Sequence, residues 1–163
     1  MNKQINLLLE LYKRYSGKVA DDIKLLPVSG SNREYYRITK DSDSVIGVYN
    51  PDKRENNAFL ALSRHFKKHG LKVPEILAED TEKDIYLLQD LGDTTLFSYL
   101  SSVRSDHYFP EEIIELYKKV ISELPKFQVL AGKDLDYSVC YPRHAFDKQS
   151  MLWDFNYFKY YFL

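Results

Sequence analysis

A chain of 163 residues, 44% of them hydrophobic, has enough apolar material for the core of one ordinary domain, which argues against a disordered chain. Lys+Arg 23 against Asp+Glu 24 leaves a net charge of −1, so no basic field exists to attract a phosphate backbone, which argues against nucleic-acid binding. The single cysteine, Cys140, excludes an intrachain disulfide and a cysteine-based zinc site, and reads as a partly buried structural thiol.

The first stretch, MNKQINLLLELYKRY, has a run of three leucines before Glu10, too short for a signal-peptide core or a membrane span. A reducing cytoplasm without a membrane partner is the expected setting. Ile5, Leu8, Leu9, Tyr12 and Tyr15 recur at helical spacing, so residues 4–15 are expected to form an amphipathic helix that Gly17 ends. A first strand is expected around Ile23, Leu25 and Leu26, a turn at SGSN, and a second strand in EYYRIT. DSDS supplies the next turn, and SVIGVYN a third strand stopped by Pro51.

ENNAFLALSRHFKKHG reads as a helix with Ala58, Phe59, Leu62 and Phe66 on one face and Gly70 at its C′ position. Two short strands follow, around Glu75–Ala78 and Asp84–Asp90. Beyond Gly92 the pattern turns helical. DTTLFSYLSS is a short helix capped by Asp93 or Thr94. FPEEIIELYKKVISEL starts with Pro110 near N1, carries Ile113, Tyr117, Val120, Ile121 and Leu124 on one side, and is ended or kinked by Pro125. A last helix from about Lys148 spaces Trp153, Tyr157, Tyr160 and Tyr161 along one side. The break near Gly92 divides the chain into an N-terminal helix (1–20), a mixed unit (21–92) and a helical unit (93–163).

VSGSNREYYRI poses the first functional question. Ser29, Gly30, Ser31 and Asn32 suit a tight turn, and the same backbone freedom can line up N–H groups as an anion nest. The local residues leave both readings open.

The element order and three stretches, SGSNREYYRI, FLALSRHFKKHGLKVPEILAED and IYLLQDLGDTTLFSYL, resemble the aminoglycoside phosphotransferase and choline kinase-like superfamily. The likeness is most specific in VPEIL and LLQDLGD, and covers Leu25 to Leu100 well. It looks closest to bacterial members that phosphorylate cell-wall amino sugars such as N-acetylmuramate and N-acetylglucosamine. The resemblance implies an α+β fold: a protein kinase-like N-lobe, a five-stranded antiparallel sheet plus a helix, followed by the first helices of an α-helical C-lobe. Ser29, Gly30, Ser31 and Asn32 would then cover the phosphates of ATP, and Gln89, Asp90 and Leu91 would be the hinge whose backbone meets adenine. Glu55 takes the place of the glutamate that pairs with a strand-three lysine, and reads equally as a charge suited to a helix N-terminus.

Two departures from the family pattern stand out. Ser44-Val45-Ile46-Gly47-Val48-Tyr49-Asn50 contains no lysine, so the cation at the phosphates must be Lys53, Arg33 or another residue. Phosphoryl transfer of this kind uses an H-x-D-x-x-x-x-N-type loop and a later magnesium-binding Asp. His65, His69, His107 and His144 form no H-x-D, and neither Asp134, Asp136, Asp147 nor Asp154 has the Asn spacing. The expectation is the N-terminal part of a longer ATP-dependent kinase, with Mg ligands and most of the sugar-acceptor pocket beyond residue 163, and inactive alone. The alternative is a non-catalytic nucleotide-binding or protein-interaction module. The greasy end, MLWDFNYFKYYFL, is an orphaned C-lobe helix, a helix docked on Ile113–Leu124, or a self-association surface.

Overall fold

A computed structural model describes residues 2–27, 32–103 and 110–163. Ser29, Gly30 and Ser31 lie outside the described residues. The chain runs α1 (Lys3–Ser16), β1 (Asp22–Leu25), β2 (Glu34–Lys40), β3 (Asp43–Tyr49), α2 (Lys53–Lys68), β4 (Ile76–Asp80), β5 (Ile85–Gln89), α3 (Leu96–Val103), α4 (Glu111–Pro125) and α5 (Lys148–Phe162). The five strands form one antiparallel sheet in the order β1-β2-β3-β5-β4.

Alternation along the strands divides the core between two faces. On one, Tyr36, Ile38, Ile85 and Leu87 pack against Leu8, Leu11 and Tyr12 of α1. On the other, Val48, Tyr86 and Leu88 meet Leu60 of α2, with Tyr35, Ile46, Phe59 and Ile76 at the margin. Ile85 to Leu88 are consecutively buried because β5 is covered on both sides, which accounts for an apolar run with no alternation. Gly47 lets α1 approach: a Cβ there would lie 3.0 Å from Ile38 Cδ1 and 3.1 Å from Leu8 Cδ2.

Local chemistry sets the ends of α2. Pro51 stops β3, and the Asp52 carboxylate accepts from the backbone N–H groups of Arg54 and Glu55 at 3.0 and 3.1 Å. At the other end Gly70 adopts φ +71°, and the Leu71 N–H donates back to Phe66 O at 3.0 Å. The buried residues of α2 are Asn56, Ala58, Leu60 and Ser63. This corrects the expected face: Leu62 and Phe66 are only half-buried, and Phe66 turns to meet Phe127 edge-on at 5.1 Å. The helix is contacted on two sides, so its apolar residues serve two neighbours.

Other boundaries also shift. β1 ends at Leu25, before Leu26, β4 runs Ile76–Asp80, and β5 stops at Gln89 because Asp90 leaves the ladder. Thr95 caps α3, its Oγ1 accepting from the Ser98 N–H at 3.0 Å, in place of Asp93 or Thr94. Pro110 is the N-cap of α4, with extended ψ, and does not enter the helix. Pro125 ends α4, and the chain continues as a π-helical turn, Lys126–Leu130, and a 3-10 turn, Ala131–Asp134.

Of the apolar stripe expected on α4, Ile113 is buried while Ile121 and Leu124 are exposed. Every residue of α5 beyond its first turn is exposed, and Tyr157 stacks on Tyr161 of its own helix at 4.5 Å, so α5 does not dock onto Ile113–Leu124. Among the described residues no helix is long and apolar enough to cross a membrane.

Candidate functional site

At the end of β5 the chain leaves the sheet and opens a cleft of about 480 Å3. Its apolar floor comes from Tyr35, Ile46 and Leu88 on the α2-facing side of the sheet, with Leu26 just after β1. Its polar wall is Arg37 and the segment from Gln89 to Asp93. An apolar floor bordered by main chain suits a planar heteroaromatic ligand.

The wall is held by one carboxylate. Asp90, 7% exposed, accepts from Arg37 Nε at 2.6 Å and Nη2 at 3.2 Å, from Ser44 Oγ at 2.8 Å, and from the Gly92 N–H at 2.8 Å. Burial by itself would raise this carboxyl; the bonds from Arg37, Gly92 and Ser44 outweigh burial and hold it below the usual carboxylate range. Asp93 adds a second carboxylate to the same guanidinium, at 2.8 and 3.0 Å. The first cause of the raised Arg37 guanidinium is that bond to Asp93, followed by the bond to Asp90.

These contacts decide how the expected hinge is presented. The side chain of Asp90 turns back to β2 and β3 and is committed there, so its contribution to a ligand is limited to backbone. Gln89 closes the sheet, its N–H donating to Glu75 O at 2.9 Å. Leu91 is exposed, and no hydrogen bond among the described residues engages its main chain. Gly92 follows at φ +81°, which a side chain rarely adopts.

Sequence reasoning missed Arg37 and Ser44. A signal for Arg37 was present: a lone arginine at an α2-facing position of a strand requires a partner when it is three-quarters covered. What no local pattern supplies is which of the chain's acidic residues provides it.

A second polar corner lies at the other end of β2. The Glu55 carboxylate accepts from Arg33 Nη2 at 2.7 Å and from Asn50 Nδ2 at 2.9 Å. Asn50 is fully buried; its Oδ1 accepts from the Asp52 N–H at 3.1 Å and its carbonyl from Asn56 Nδ2 at 2.7 Å. The arginine lies over the Phe59 ring, 5.1 Å from its centre. Asn32, beside Arg33, is exposed. Lys53 is turned elsewhere, 3.9 Å from Asp84.

Two other features are weaker candidates. A hollow of about 580 Å3 between α3 and α4 is larger than the cleft; Leu96, Leu116 and Val120 line it beside Tyr99, Glu112, Glu115 and Lys119, on the surfaces of two helices without a sheet edge. His65, His69 and Asp134 bring three possible metal-ligand atoms within 4.8 Å of one another. Each already has a protein partner: His65 Nε2 is 2.7 Å from the Ala131 carbonyl, which requires it to donate, and His69 Nε2 is 2.8 Å from Asp134 Oδ1. The Lys68 ammonium stands 3.9 Å from the same carboxylate. This cluster ties α2 to the segment after α4.

A five-stranded antiparallel sheet with a helix inserted between its third and fourth strands, a cleft beside the last strand and a helical continuation is the N-lobe arrangement of kinase-like enzymes. The family model described as APH, phosphotransferase enzyme family, matches residues 22–138, and the chain belongs to that family. A search of curated proteins gave no match.

Proposed function

We propose that this chain forms the nucleotide-holding part of an ATP-dependent phosphotransferase whose acceptor is a sugar or amino-sugar hydroxyl. The observation that carries the nucleotide reading is the cleft beside β5, where an apolar floor faces a backbone edge at Leu91 made rigid through Asp90. In this reading Gln89, Asp90 and Leu91 offer main-chain groups to the adenine edge, and Leu26, Ile46 and Leu88 enclose its faces. The family resemblance assigns phosphate contact to Ser29 to Asn32, of which Ser29, Gly30 and Ser31 lie outside the described residues. The acceptor class rests on the VPEIL and LLQDLGD resemblance.

ATP fits the described residues, since the cleft supplies apolar faces and an unengaged main-chain edge. Magnesium fits them poorly: the carboxylates lining the cleft, Asp90 and Asp93, are both committed to Arg37, and no step is assigned to the ion. Residues 1–163 contain no H-x-D loop, so none of their side chains is assigned as the base for an acceptor hydroxyl. Loss of such a base costs roughly 10²–10⁴-fold, and this chain alone is proposed not to transfer phosphate.

Titration of the isotopically labelled chain with ATP tests the reading. Amide resonances of Leu91 and Gly92 are expected to shift at millimolar nucleotide or below, with smaller changes on the outer face of α1. A spectrum left unchanged at saturating ATP would refute the cleft as a nucleotide site.

A further inference from the structure

If the base sits against Leu91, some cation must meet the phosphates, and the sheet narrows the choice. Strand β3 offers none: its residues on the α2-facing side are Ser44, Ile46 and Val48, the last fully buried against Leu60 and Tyr86. Lys53 is 63% exposed and directed to Asp84. Arg33 remains, and its surroundings are built. Its side chain is 9% exposed, paired through Nη2 with Glu55, donating through Nη1 to Tyr35 Oη at 3.4 Å, and set over Phe59. Glu55 is itself fixed by Asn50 and by its place in the first turn of α2 behind the Asp52 cap.

We propose that Arg33, beyond the far end of the cleft, is the cation that contacts the phosphates, with Glu55 as the residue that positions it; this assignment rests on the nucleotide reading above. Register supports it. Tyr35 pairs with Val48 across β2 and β3, so the residue two before Tyr35 on the same face lies just beyond the valine, on the side toward Asn50. Arg33, Tyr35 and Arg37 therefore form a row on the face that carries the cleft. Arg37 bounds the base end, and four residues of extended chain place Arg33 about 13 Å further on, the direction and reach of a triphosphate tail. Arg33 also directly follows the Ser29–Asn32 stretch.

The chemistry suits the position. A planar guanidinium can serve a carboxylate on one edge and a phosphate on another, and stays charged when buried, whereas a lysine loses its charge more readily. Tyr86, whose buried hydroxyl has no hydrogen-bond partner among the described residues, stacks on Phe59 at 5.4 Å beneath the same corner. Glu55 thus keeps the role of an acidic partner on the helix, while its cation comes from the neighbouring strand.

Calorimetric titration of the whole chain with ATP and with adenosine, in magnesium-free buffer, separates phosphate contacts from base contacts. The unsubstituted chain is expected to bind ATP at least about tenfold more tightly than adenosine. Arg33→Met, which keeps the aliphatic stem, should weaken ATP by about 10–100-fold, the loss of one charge-assisted contact, and leave adenosine within about twofold. Arg33→Lys should fall between, because it keeps the charge without the fork, and Lys53→Ala should match the unsubstituted chain. Equal ATP affinity in Arg33→Met, or a parallel loss of ATP and adenosine, overturns the assignment while the cleft stands. An unsubstituted chain that binds ATP no better than adenosine overturns it without any variant, and should Arg33→Met fail to fold, an Arg33→Lys affinity for ATP equal to that of the unsubstituted chain overturns it. Binding of neither nucleotide overturns the cleft reading, and this assignment falls with it.

Discussion

Replacing Asp90 by Asn keeps the shape of the side chain and removes its charge, which tests whether the wall of the cleft is held as described. The carboxylate accepts four hydrogen bonds, two of them from Arg37, at 7% exposure. An asparagine keeps one acceptor oxygen for Gly92 or Ser44 but turns an NH2 group toward the guanidinium, donor against donor. Hydrogen bonds to charged groups contribute about 1.5–3 kcal/mol each and are not additive, and Arg37 retains Asp93, so the net loss is placed at about 2–3 kcal/mol. For a chain of this length that lowers Tm by roughly 4–12 °C. The pH dependence has a definite sign. The folded carboxyl titrates below its unfolded value near ~3.9, so its contribution is complete above about pH 5 and is lost as pH falls through 4 and lower. Thermal melts of both proteins from pH 7 down to about pH 3 should therefore show a gap that closes with acid, other carboxylates cancelling in the comparison. A neutral-pH gap under about 1 °C, or one that persists unchanged in acid, would refute the reasoning.

Gly47→Ala should destabilise the chain by about 1–3 kcal/mol in urea unfolding, because the new methyl meets Leu8 and Ile38 at the closest approach of α1 to the sheet. The same substitution should cost measurably less in a Leu8→Ala background, since the two side chains compete for one space; strictly additive losses would show that α1 does not press on Gly47. Leu8→Ala alone should cost about 2–5 kcal/mol, and a loss under about 0.5 kcal/mol would mean that α1 is not part of the core.

The resemblance at LLQDLGD points to the segment that walls the cleft, yet the bonding that holds this wall is not legible in those residues. In DLGD the Asp looks like one of three backbone contributors to a hinge; in the fold its side chain is a buried anchor to a strand 53 residues earlier. Glu55 reads equally as a helix-end charge or a site residue. In the fold it stands in the first turn of α2 behind the Asp52 cap, and its carboxylate accepts from Arg33. The α2 face departs from its pattern for a related reason: a hydrophobic pattern records how much apolar surface a helix carries, not how two neighbours share it.

What the sequence determined by itself is what short-range physics controls. Period-two and period-3.6 patterns, Pro51 and Pro125 as stops, and Gly17 and Gly70 as helix ends act within a few residues, so the order of helices and five strands could be read directly. Which cation answers Glu55, which carboxylate answers Arg37, and why Gly47 has no side chain were decided only by the tertiary structure. Those choices depend on register between strands and on the distance of α1 from the sheet, and such long-range pairings leave no periodic trace along the chain.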